Sequence, residues 1–68
     1  MDEPLIEADP RIMVGKPVIT GTRITVEHIL EELANGLTVE QIRSEYPHLT
    51  LEGIHAALRF VAKSVSYD

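Results

Sequence analysis

The chain has no cysteine and no tryptophan, only three aromatic residues, and few cations: six Lys and Arg against eleven Asp and Glu. Without cysteine there is neither a disulfide framework nor a thiolate metal site to support a small core. No window approaches the ~18 consecutive apolar residues that a membrane span needs, so no membrane partner is expected. The opening MDEPLIEADP is acidic and lacks an apolar run, so it reads as neither a signal nor a transit peptide. With no leader and no cysteine, the expected location is cytoplasmic. The net charge of −5 weakens a nucleic-acid role, since gripping a phosphate backbone draws mainly on Lys and Arg. It leaves room for one basic face with acid elsewhere.

What remains is 68 residues, 44% of them hydrophobic, spread in short runs. One domain spanning 1–68 is expected, and a chain this short buries a modest share of its surface. Self-association, most simply a homodimer, or docking onto a larger partner is therefore expected. The chain divides into a strand-like first third, 1–24, and a helical core, 25–66. Pro4, Pro10 and Pro17 exclude a helix through the first part. Leu5–Ile6, Ile12–Val14 and Val18–Ile19 read as two or three short strands or extended arms.

Three helices follow, each opened by a threonine. Thr25 precedes a helix with Val26, Ile29, Leu30 and Leu33 on one face, and Gly36 stands where a left-handed C-terminal cap belongs. Thr38, with Gln41 three residues on, forms a capping-box pattern ahead of Val39, Ile42 and Tyr46. Thr50 opens a longer helix carrying Leu51, Ile54, Leu58, Val61 and Val65 at helical spacing. Only Pro47, His48 and Leu49 separate the second helix from the Thr50 cap. A mainly α domain is expected, either a helix-turn-helix of three helices with short N-terminal strands or a plain three-helix bundle.

Enzymatic chemistry finds little support. GKPVITGTRIT, Gly15–Thr25, suggests a phosphate loop, but Thr22 and Arg23 stand where Lys and Ser/Thr belong, and the helix starts too late. Its glycines are better explained as turn residues around a strand at Pro17–Thr20. His28, His48 and His55 lack mutual metal-ligand spacing, so neither a metal nor another cofactor is expected. Glu27, Glu31, Glu32, Glu40 and Glu45 fall opposite the apolar stripes, where charge solvates a helix face. The chain is not expected to be an enzyme.

Two surfaces of the third helix stand out. His55, Arg59 and Lys63 recur every fourth residue as a basic stripe. Together with Thr50, Glu52 and Arg43 they are the candidate DNA contacts, the alternative being a solvated basic face. Gly53, Ala56, Phe60 and Tyr67, with Ala57, form a second strip of small and aromatic residues. It suits a second subunit or a partner, unless the N-terminal strands fold back over it. Arg11, Lys16 and Arg23 supply the only positive charge of the first third.

The segments Asp9–Ile24, Ile29–Thr38, Tyr46–Thr50 and Ile54–Leu58 resemble the bacterial and archaeal uncharacterised-domain family numbered 433, across about residues 5–65. The resemblance implies a homeodomain-like helix-turn-helix with extended N-terminal strands. It also implies a VapB-type antitoxin of a type II toxin–antitoxin pair, whose toxin partner resembles a PIN-like ribonuclease and whose own operator DNA is a second target. The alternative is a dimeric interaction module that never touches nucleic acid. Gly53 departs from the family, which often has a polar or acidic residue there, and this puts base readout from that position in doubt.

Overall fold

The computed structural model describes residues 4–65. Their order is β1 (Ile6–Glu7), a 3₁₀ turn (Met13–Gly15), β2 (Val18–Ile19), α1 (Val26–Ala34), α2 (Val39–Glu45) and α3 (Leu51–Ser64). The strands pair antiparallel with Ile6 opposite Ile19 and Glu7 opposite Val18. The fold is thus mainly helical, with one two-stranded sheet.

GKPVITGTRIT is the frame of that sheet. After β2 the chain reverses through Gly21, at φ +81°. It comes back alongside itself, with Ile19 N–H donating to Ile24 O at 2.9 Å and a bridge between Val18 and Thr25. The Thr22 hydroxyl donates to Ile19 O at 2.7 Å and accepts from Ile24 N–H at 3.0 Å, which closes the turn. Val26 N–H, an unpaired donor of α1's first turn, donates to Pro17 O at 3.0 Å. The segment therefore anchors the head of α1 instead of cradling a ligand.

Each helix starts at its threonine. Thr25, Thr38 and Thr50 each accept on the side-chain oxygen from the N–H three residues later. At Thr38 the capping box is complete, with Gln41 Oε1 accepting from Thr38 N–H at 2.8 Å. Gly36, at φ +93°, ends α1 as expected.

Ile12–Val14 is not a strand. Met13, Val14 and Gly15 all have positive φ, at 50°, 54° and 84°, and form one left-handed turn. That conformation costs an L-residue about 1–2 kcal/mol, and a β-branched valine is among the worst suited to it. Val14 is also 89% exposed, so packing does not offset the strain.

The core gathers Ile6, Ile19, Val26, Ile29, Ile42, Leu49, Ile54, Ala56 and Ala57. Its arrangement corrects the face expected of α3. Of the five apolar positions at helical spacing, only Ile54 is buried, with Val61 half-buried; Leu51, Leu58 and Val65 point to solvent. Inward go Gly53, Ala56 and Ala57, with Phe60 packed at their edge. The cause is the sheet, which lies directly on α3. A Cβ placed on Gly53 would be 3.3 Å from Ile19 Cγ2, so only small residues let the backbones come this close. The N-terminal third is therefore a layer of the core, not a pair of arms.

Candidate interaction face of the third helix

The residues expected to contact DNA converge on one side. Glu52, His55, Arg59 and Lys63 are all exposed along α3, with Thr50 exposed at its head. Two of the six candidates have structural duties as well. Thr50 Oγ1 accepts from Gly53 N–H at 3.0 Å as the helix cap. Arg43 Nε donates to Leu49 O at 3.3 Å, so its guanidinium braces the turn between α2 and α3. Leu49 itself is buried and pins that turn to the core.

The strip expected to receive a partner fares differently. Gly53 and Ala56 are buried within the domain, Phe60 is half-buried against the core, and Tyr67 lies outside the described residues. Gly53 and Ala56 cannot meet a second protein, because the domain's own packing already covers them, Ile19 of β2 and Leu49 lying against Gly53. The same burial removes Gly53 from any base contact. The exposed large apolar side chains here are instead Leu51 and Leu58 of α3 and Val65 at its C-cap.

The cations of the first third are not pooled into a patch. Arg11 clasps Asp9 through both carboxylate oxygens, Nε to Oδ1 at 3.1 Å and Nη2 to Oδ2 at 2.9 Å. These bonds hold the Asp9 carboxyl below its usual range and the Arg11 guanidinium above its own. Lys16 Nζ reaches Glu27 Oε1 at 2.9 Å, which raises the lysine pKa. Both pairs are exposed and add little stability. Arg23 lies elsewhere, on the rim of a solvent-open depression of about 370 Å³ shared with Met13, Ile24, His28 and Tyr46.

One polar cluster was missed in the sequence. His28 Nε2 lies 2.9 Å from the Tyr46 hydroxyl and 3.5 Å from Glu32 Oε2, with the two rings edge to face. Glu32 is only 15% exposed, and its Oε1 is buried with no hydrogen-bond donor among the described residues. Burial foremost, then the neighbouring Glu45 carboxyl, push its pKa up, while His28 pulls it back. Burial also raises Tyr46, assisted by Glu32 and Glu45. His28 and Glu32 are four residues apart on α1, and that spacing was the available signal. The approach of Tyr46 and Glu45 from α2 had none. The cluster joins α1 to α2; among the described residues no three of His, Cys, Asp or Glu are placed to hold a metal ion.

Residues 6–61 match the family model described as "Protein of unknown function (DUF433)". The chain belongs to this family. Among solved structures it resembles the crystal structure of a DUF433 member protein from Anabaena variabilis ATCC 29413, with a TM-score of 0.83 and 27% sequence identity. The likeness covers 91% of this chain but 60% of that one, so the chain spans less than two thirds of that solved relative. No curated protein matches. Among the described residues, no helix is long and apolar enough to cross a membrane.

Proposed function

We propose that this DUF433 chain is the antitoxin of a type II toxin–antitoxin pair, neutralising a PIN-like ribonuclease and binding operator DNA through α2, the turn and α3 as a helix-turn-helix. The observation carrying the DNA half is the solvent face of α3, which follows a short, pinned turn and lines up His55, Arg59 and Lys63. A recognition helix meets the major groove with such residues and with its first turn. The acidic surface supports the toxin half, since a net charge of −5 suits a protein that masks a basic RNA-binding cleft. In this role the chain is not an enzyme.

A dimeric interaction module without nucleic-acid contacts is the second proposal. It is favoured by Arg43, which is engaged with Leu49 O, and by Glu52 in the first turn of α3, where its charge repels phosphate. A gel shift at low salt with DNA from upstream of the chain's own gene separates the two. A retarded band, strengthened by the neighbouring gene product, supports the antitoxin; a blank lane with and without that product removes the DNA half. Co-expression with the neighbouring gene tests the toxin half, and growth arrest that this chain leaves unrelieved removes it.

A further inference from the structure

The solvent side of α3 has two halves. Glu52, Arg59 and Lys63 occupy one, while Leu51, Leu58 and Val65, exposed by 41%, 39% and 65%, occupy the other. Those three are spaced by seven, and the exposed His55 and Ala62 fall between them. The line Leu51, His55, Leu58, Ala62, Val65 thus advances in alternating steps of four and three, the period by which one helix seats along another. The domain's own core does not use it, because the sheet, α1 and α2 pack on the other side of α3.

We propose that this line is the contact with a second copy of the chain, the two α3 helices lying antiparallel about a two-fold axis at Leu58. Such an axis brings Leu51 of each copy to Val65 of the other and Leu58 to itself, while His55 comes within one residue's rise, about 1.5 Å, of Ala62. Leucine meets valine and histidine meets alanine, so the outer layers interlock large with small. An isologous contact of this kind closes on itself and stops at two copies.

Charge decides the direction. Glu52 lies in the first turn of α3 and Lys63 in the last, on the same flank of the line. Parallel pairing turns the flanks that carry Glu52 and Lys63 to opposite edges of the pair, so neither meets its opposite charge across the contact. Antiparallel pairing sets each Glu52 near the Lys63 of the other copy, and it also opposes the helix dipoles.

Size sets the strength. The 14 residues of α3 make a rod about 21 Å long. One such pair buries less than the roughly 800 Å² per partner typical of stable complexes, and the net charge of −5 per copy adds repulsion. The dimer is therefore weak and concentration-dependent. It forms whether or not the chain binds DNA or a toxin, so loss of either half of the proposed function leaves it standing. It does withdraw His55 from DNA.

Sedimentation equilibrium of the full chain, from about 10 μM to 1 mM, brackets a weak association. A reversible monomer–dimer equilibrium is expected. Leu58→Lys, which sets two like charges on the axis, should move its midpoint up by at least about tenfold, with an unchanged circular dichroism spectrum showing that the variant still folds. Because the chain has no cysteine, single-cysteine variants report the register. Under mild oxidation Leu58→Cys should cross-link to itself at least about tenfold faster than Leu51→Cys, since disulfides need Cα atoms within ~7 Å. A monomer at every concentration, a dimer indifferent to Leu58→Lys, or equal cross-linking rates would each overturn the proposal.

Discussion

Gly53 of α3 and Ile19 of β2 face each other so closely that a Cβ on the glycine would lie 3.3 Å from the isoleucine methyl and 3.4 Å from Leu49 Cδ1. Two opposing effects meet at this one position. Alanine would strengthen the helix by about 1 kcal/mol, but it would also press on the sheet. Gly53→Ala is therefore expected to change the unfolding free energy by less than about 1 kcal/mol, the two effects nearly cancelling. Gly53→Val adds bulk with no such gain and should destabilise by about 1–3 kcal/mol. Urea titrations followed by circular dichroism measure both, and a valine variant as stable as the parent would show that the sheet does not press on α3.

Val14 offers the opposite experiment. It sits at φ 54° and is 89% exposed, so it carries backbone strain without any packing in return. Val14→Asn, a residue that tolerates the left-handed region, should stabilise the fold by about 1 kcal/mol. Val14→Gly should gain less, since glycine loses more freedom on folding. A fall in stability for the asparagine variant would mean that the side chain has a role its exposure does not reveal.

Glu32 sets an expected pH dependence. Its carboxyl is held above its ordinary range first by burial and then by Glu45, so the native state holds that proton more tightly than the unfolded chain does. The stability it contributes is fully present below the ordinary glutamate value and is lost as pH rises through the raised one. Asp9, held low by Arg11, works in the other direction, but only at lower pH and on an exposed pair of little weight. Melting temperatures should therefore be higher near pH 5 than near pH 8, and Glu32→Gln should narrow that gap mainly by stabilising the protein at the higher pH. An unchanged gap would assign the pH dependence to other groups.

Thr38 and Gln41 exchange both bonds of the capping box, at 2.8 and 3.1 Å. Because α2 is only seven residues long, little else holds its head. Thr38→Ala should cost about 1 kcal/mol, seen as a lower urea midpoint with an unchanged slope. A neutral result would mean that the packing of Ile42 alone fixes α2.

Local chemistry was legible in the sequence because it acts over three or four residues. The caps at Thr25, Thr38 and Thr50, the positive φ of Gly15, Gly21 and Gly36, and the apolar faces of α1 and α2 all follow from spacing. The face of α3 did not. Periodicity there offers two apolar sides, a large-residue line through Leu51 and Leu58 and a small-residue line through Gly53 and Ala56. Hydrophobicity favours the first, but the close approach of β2 selects the second, and that approach is a long-range fact. The left-handed turn at Met13–Gly15 was hidden for a related reason: nothing in an apolar pair next to a glycine announces positive φ. The basic face of α3 was legible, since every fourth residue returns to the same side.

The layering of β1 against α3 also bears on how the chain leaves the ribosome. Ile6, in the first strand, waits for Ile54, Ala56 and Ala57, which are synthesised last among the core residues. At ~5–20 residues per second the interval lasts several seconds. During it the β-hairpin and α1 exist with no lid over their apolar sides. Folding of this domain therefore waits for α3, and nascent copies present a sticky, half-built layer to chaperones or to one another before it arrives.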